Sequence, residues 1–284
     1  MASAREIRQR IKSVKNTQQI TKAMNMVAAA RLRKAQERAN ASRPYAQKIT
    51  EVLARVAAQA DGAVHPLLAE RPVNNIAYLV LNADKGLAGA YSSNVMKEAV
   101  AQIADKENVH LITVGRKARD YFLRRGYEID LEYSGFSERP TYQHAIMLAE
   151  DLSEQFLAGE YDEIHIVYTQ FFSPLLHKPV TMQLLPVKAP AGGAAASPGD
   201  EYIFEPSAAA VLDQLVPRYF ETQIYAALMQ SSASELGARM TAMSSATDNA
   251  GELISQLTLS YNKIRQAGIT REISEIVGGA EALK

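Results

Sequence analysis

Apolar and small residues recur with alternating three- and four-residue spacing at both ends of the chain. Near the C-terminus the positions are Ala233, Leu236, Met240, Met243, Thr247, Ala250, Ile254, Leu257, Tyr261 and Ile264. From the N-terminus they are Ile7, Ile11, Val14, Gln18, Thr21, Asn25, Ala28, Leu32, Ala35, Ala39, Ser42, Ala46, Ile49, Leu53 and Val56. Each series is a heptad seam, which keeps one stripe of a helix against a partner helix. A helix of sixty residues spans roughly 90 Å, too long to pack on one small domain. The expected arrangement is one antiparallel coiled coil built from residues 1–60 and 207–284, with the middle of the chain as a separate body. Two long helices inside an ordinary bundle is the competing arrangement. A pattern longer than about 25 residues without caps favours the coiled coil.

The helix ends carry signals. Ser3 and Glu6 have capping-box spacing. Ser207 is a reasonable cap for the last helix, which follows Pro206. Pro44 and Pro217 fall inside the patterned stretches, where a missing N–H predicts a kink or a restart. Asp61-Gly62 and Pro66 end the first helix, and residues 61–75 read as a connector.

Between the seams the period changes. Short apolar runs at 76–81, 109–114, 127–133, 163–168 and 180–187 read as strands. Helix-like segments at 90–104, 116–125 and 142–156 alternate with them. Alternation of this kind predicts a mainly parallel sheet with helical crossovers. The fold class is therefore α/β, a Rossmann-like domain over 76–188, plus the coiled coil. Residues 189–206 read as a loop, rich in Ala, Gly and Pro at first, leading into the last helix.

Composition narrows the chemistry. With no Cys there is no disulfide, thiolate metal site or thiol switch. No run of 18 or more apolar residues suggests a membrane span, and the basic start lacks the apolar core of a signal peptide. A net charge of zero hides an asymmetry: residues 1–58 hold thirteen Lys/Arg and three Asp/Glu, and the remainder is correspondingly acidic. A basic helix on an acidic protein predicts a partner of negative potential.

No self-contained catalytic constellation is present. Asn82–Gly89 follows the first strand where a phosphate loop sits in α/β folds, but it matches neither GxGxxG nor GxxxxGK[ST]. Gly86 and Gly89 fit a tight turn and close helix–strand packing. The five His are scattered, without a second ligand at i+3 or i+4. The pairs Glu150-Asp151 and Asp162-Glu163 read as solvated faces. A dinucleotide-binding α/β enzyme with coiled-coil arms and a basic coiled-coil nucleic-acid binder stand as alternatives. Only Tyr45 offers an aromatic in the basic segment, and no reading motif accompanies it.

Ile20-Thr-Lys-Ala-Met-Asn-Met-Val-Ala-Ala29 and Asp84-Lys-Gly-Leu-Ala-Gly-Ala-Tyr91 resemble segments of the gamma subunits of F-type ATP synthases. So do Ala238-Arg-Met-Thr-Ala-Met243, Ala246-Thr-Asp-Asn-Ala-Gly251, Leu257-Thr-Leu-Ser-Tyr-Asn-Lys263 and Ile269-Thr-Arg-Glu-Ile-Ser-Glu-Ile-Val277. The resemblance covers the chain in order. It implies a central rotor shaft inside a ring of three alpha and three beta subunits, its foot resting with epsilon on the membrane c-ring. It implies no catalytic site, cofactor or metal of its own, no nucleic-acid partner, no direct membrane insertion, and a peripheral place on the cytoplasmic side of a bacterial cell membrane. By the same resemblance Arg265, Gln266, Thr270, Lys22 and Met24 are expected to contact beta subunits. Ile273, Ile276 and Val277 are expected to form an apolar bearing tip. Tyr202, Phe204, Glu205 and Pro206 resemble the foot segment and are expected to meet the c-ring and epsilon. Two departures stand out: Ala88 sits where the family often has Cys, and Arg271 where Gln is common.

Overall fold

The computed structural model describes residues 3–59, 65–104, 106–188, 205 and 207–281. Two long helices, α1 (Ala4–Gln59) and α5 (Ala208–Glu281), enclose the rest of the chain in sequence. The chain divides into two compact units, one of Met1–Ala28 with Met240–Lys284 and one of Ala29–Arg239.

In the first unit α1 and α5 run antiparallel. Asn25 Nδ2 donates to the Met240 carbonyl at 2.8 Å, and Gln18 Nε2 donates to the Thr247 carbonyl at 3.3 Å. Moving down α1 therefore means moving up α5. The seam positions are the covered ones: Ile7, Thr21, Ala28, Met243 and Ala250 are buried, and Ile254, Leu257, Tyr261 and Ile264 are half-buried. The start of α1 carries the expected capping box, with Ser3 N donating to Glu6 Oε2 at 3.0 Å and Glu6 N to Ser3 Oγ at 3.3 Å.

In the second unit a five-stranded sheet has the order β3-β2-β1-β4-β5. The strands are β1 (Ile76–Leu81), β2 (Val109–Val114), β3 (Leu131–Tyr133), β4 (Glu163–Phe171) and β5 (His177–Leu185). All neighbours pair parallel except β4 and β5, which form an antiparallel hairpin. Alternation along β1 separates two cores. Tyr78 and Val80 face α2 (Tyr91–Ile103) and α3 (Arg116–Leu123), packing with Val95, Met96 and Phe122. Ala77, Leu79 and Leu81 face the other way, into a core shared with α4 (Tyr142–Ala158), with Leu53 and Val56 of α1 and with Leu212, Val216 and Phe220 of α5.

Several details differ from the sequence expectation, and β4 runs on to Phe171, three residues past the expected end. Pro44 and Pro217 lie inside helices that run on past them without a restart. Strand β3 is short: of the stretch before it, Asp130 N donates to the Leu111 carbonyl at 2.9 Å, but the ladder begins only at Leu131. Strand β5 begins three residues early and contains Pro179. It is an edge strand, where a missing N–H is tolerated.

Candidate functional site

The loop after β1 is the first place to look for a ligand. In open α/β sheets ligands bind beyond the carboxyl ends of the strands, where the strand order reverses. Here β1 lies between β2 and β4, so that point is the crevice at the ends of β1 and β4. The chain fills it with its own groups. The Asp84 carboxylate accepts backbone N–H bonds from Gly135 at 2.9 Å, Ser137 at 3.1 Å and Arg116 at 3.3 Å. Burial pushes its pKa up, but these bonds outweigh burial and hold it below the ordinary aspartate value. Amides that could cradle a phosphate are thus committed to a built-in anion. The Gly86 carbonyl accepts from Arg239 Nη2 of α5 at 3.2 Å, and Ser234 Oγ of α5 donates to the Thr169 carbonyl at the end of β4. Gly89 adopts a positive φ of 54°, as a tight turn requires. At Gly86 a Cβ would meet only the far end of the Lys117 side chain, at 3.9 Å, whereas at Gly115 it would lie 2.2 Å from the Asn82 carbonyl oxygen.

Sequence reasoning missed a buried ionic cluster beside this loop. Glu235 is 1 % exposed and Arg239 is 6 % exposed. Arg239 Nη2 bonds Glu235 Oε1 at 2.7 Å, and its Nη1 faces Glu138 Oε1 at 3.2 Å. Arg31 of α1 also pairs with Glu138, and Lys85 approaches it at 3.5 Å. Burial raises the Glu235 pKa, against the pull of Arg239. The available signal was a Glu–Arg pair at i, i+4 amid the small residues Ser231-Ser-Ala-Ser234, a place where solvated charges are out of character. Asp162, expected on a solvated face, is likewise buried: it accepts the backbone N–H of Asn74 and of Asn75, each at 2.9 Å.

The beta-contact and bearing-tip residues expected from the resemblance lie on the two long helices. Arg265, Gln266, Thr270, Ile273, Ile276 and Val277 are all exposed. Thr270 turns its hydroxyl back to the Gln266 carbonyl at 3.0 Å, leaving the long side chains of its neighbours outward. Lys22 is exposed and Met24 half-buried. Lys22 borders a polar groove of about 480 Å³ lined also by Gln18, Gln19, Asn25, Ser244, Thr247 and Asp248. The groove and Arg265 are separated by some twenty residues of α5, roughly 30 Å of helix, so they form two patches rather than one site. Glu205 is exposed, while Tyr202, Phe204 and Pro206 lie outside the described residues. Among the described residues no group of three or more His, Asp or Glu is placed to hold a metal ion. Nor is any helix there long and apolar enough to cross a membrane.

Comparison with known proteins gives these patches a context. A family model described as ATP synthase matches residues 3–283. The ATP synthase gamma chain of Desulforamulus reducens is 53% identical over 284 residues, covering 100% of both chains. That of Chlorobaculum tepidum is 44% identical over 292 residues, again covering 100% of each. Among solved structures, a chain of the Euglena gracilis mitochondrial ATP synthase OSCP/F1/c-ring assembly aligns with a TM-score of 0.70 at 19% identity, over 99% of this chain and 94% of that one. A chain of the Tetrahymena thermophila mitochondrial central stalk and c-ring aligns with a TM-score of 0.60 at 22% identity, over 80% of this chain and 99% of that one. At that identity the two structures speak for the fold, whereas the full-length relatives speak for descent. This chain belongs to the gamma-chain family of ATP synthases.

Proposed function

We propose that the chain turns as the central rotor of an F-type ATP synthase. Its coiled coil sits within three alpha and three beta subunits, and its foot rests with epsilon on the c-ring at the cytoplasmic face of a bacterial cell membrane. Nucleotide chemistry takes place on the beta subunits. The rotor acts mechanically: each orientation presents different contacts, and so favours different conformations of the three surrounding sites.

The observation that carries this reading is the end of α5. From Arg265 to Ala280 every residue is exposed, including Ile269, Ile273, Ile276 and Val277 at 48–71%. A single helix of sixteen residues is marginal alone in water. Four large apolar side chains on it call for a surrounding partner, and a smooth apolar sleeve would let them turn without directional bonds to break. Arg265, Gln266 and Thr270 stand at the mouth of that stretch, where charged and amide groups fit polar catch loops of beta. Lys22 suits an acidic loop of beta, with Met24 as its apolar neighbour. Tyr202, Phe204, Glu205 and Pro206 serve as the foot.

The test is reconstitution with matching alpha and beta subunits and a bead fixed to the α/β domain. One copy per hexamer with unidirectional ATP-driven rotation is expected. Replacing Arg265 and Gln266 together by Ala should lower turnover and weaken coupling without altering the fold. Absence of rotation in an assembled complex would refute the rotor reading.

A further inference from the structure

Within the unit Ala29–Arg239, helix α5 is held over residues 230–239 by polar contacts on two faces. Every residue from Ser231 to Arg239 is buried. At about 100° per residue, Gln230, Ser231, Ser234 and Gly237 share one side of the helix, and Ser232, Glu235 and Arg239 share roughly the opposite one. The first side is tied to the β4–β5 hairpin. Phe171 N donates to Gln230 Oε1 at 2.9 Å, Thr169 N to Ser231 Oγ at 3.3 Å, and Ser234 Oγ to the Thr169 carbonyl at 3.2 Å. Gly237 lets the hairpin close in, since a Cβ there would stand 3.2 Å from Pro174 Cα. The second side is tied to Glu138, ahead of α4. Ser232 Oγ donates to the Glu138 carbonyl at 3.1 Å, and Arg239, hydrogen-bonded to Glu235 of its own helix at 2.7 Å, forms an ion pair with the Glu138 carboxylate at 3.2 Å. Arg31 brings α1 to the same Glu138.

The hydrophobic effect is not directional, so burial alone does not set the angle of a helix, and the interlocking of packed side chains sets it only in part. Hydrogen bonds and Arg–carboxylate pairs have preferred angles and lengthen as soon as the helix turns. Placed on opposite faces, they oppose rotation of α5 in either sense. As a source of stability alone such a cluster is a poor choice, because buried ion pairs are often no better than well-packed apolar residues. As an angular clamp it is well suited.

We propose that the contacts of residues 230–239 with the β4–β5 hairpin and with Glu138 are the grip by which the α/β domain turns α5, with Arg239 and Glu138 as its central positioning residues. This rests on the rotor reading above. The experiment uses the complete chain assembled with alpha and beta subunits. The coil is held by an inhibited hexamer, and the angular fluctuation of a bead on the α/β domain is recorded. The variance of the angle reports torsional stiffness. Arg239→Gln with Glu138→Gln should raise the variance about two-fold or more, since members of a buried network support one another. Arg239→Lys keeps the charge, loses the fork and should lie between. Unloaded ATP hydrolysis per assembled complex should stay close to that of the parent.

If the double variant does not assemble, Gln230→Ala with Ser232→Ala removes one tie on each face while leaving the charges in place, and it should still raise the variance. Unchanged variance in either assembled variant overturns the grip while leaving the rotor reading intact. A parent complex that does not rotate at all removes both.

Discussion

Asn25 reaches across the coiled coil and donates through Nδ2 to the Met240 carbonyl oxygen at 2.8 Å, so a side chain of α1 bonds the backbone of α5. Below it the Thr21 and Thr247 hydroxyls meet at 2.8 Å, and Gln18 bonds the Thr247 carbonyl. A polar layer in an otherwise apolar seam fixes register at a cost in stability. Asn25→Leu should therefore stabilise the isolated chain by about 1 kcal/mol, since an apolar side chain gains burial and the carbonyl can keep its helical partner. It should also loosen register. Cysteine pairs placed across the coil one heptad out of step should cross-link in the variant and stay reduced in the parent. A fall in melting temperature with unchanged cross-linking would contradict both parts.

Gly115 joins β2 to α3 with φ 99°, and a Cβ there would lie 2.2 Å from the Asn82 carbonyl oxygen. The obstacle is backbone, which cannot step aside as a side chain can. Gly115→Ala combines left-handed strain with overpacking and should cost about 3–4 kcal/mol. Gly126 has φ 79° but nothing within 4 Å of its would-be Cβ. Gly126→Ala should cost only the strain, about 1–2 kcal/mol. Urea melts of the two variants measure the difference, and equal losses would show that the Asn82 contact relaxes freely.

The Asp162 carboxylate links the segment leading into β1 with the one leading into β4. Bonds from the backbone N–H of Asn75 and of Asn74 hold its pKa below the ordinary aspartate value, helped by Arg71 at 3.6 Å. The folded pKa lies below the unfolded one, so the contribution is complete above the unfolded value of about 3.9 and is lost as pH falls through the folded value. The parent should therefore be more stable than Asp162→Asn at neutral pH. The gap between them should narrow steadily once pH drops below about 4. A gap that stays constant from neutral to acid would assign the effect to shape rather than charge.

Much of the architecture was legible because it is periodic. Every heptad position from Ile7 to Val56 is buried or half-buried, and so is every one from Ala233 to Ile264. Strands β1 and β2 end where their apolar runs end. What escaped depends on tertiary neighbours. The last strand is expected only from residue 180 because nothing local marks β5 as an edge, where Pro179 is tolerated. Asp162 reads as a solvated acid, and only the folded chain brings it the amides that occupy it, as it brings amides to Asp84 and a guanidinium group to Glu138. Nothing in the periodicity marks the serines at 231, 232 and 234, which bond the backbone at Thr169 and Glu138. The exposed positions at 265–277 owe their place in the argument to resemblance, for periodicity alone stops at Ile264.

Arg271 stands on the exposed end of α5, paired with Glu275 one turn on at 2.8 Å, and both side chains are largely in solvent at 81% and 63%. An exposed i, i+4 pair contributes only about 0.3–0.5 kcal/mol. Arg271→Gln should therefore leave the melting temperature of the isolated chain almost unchanged. Any effect in the assembled complex must then come from a partner. If Arg271 faces an acidic group of beta, its removal should make ATP hydrolysis less sensitive to ionic strength, because a screened attraction has been taken away. Salt titrations of ATPase activity with parent and variant rotors measure this directly. Superimposable titration curves would place Arg271 on a side of the shaft that meets no charge, with Glu275 as the group it serves.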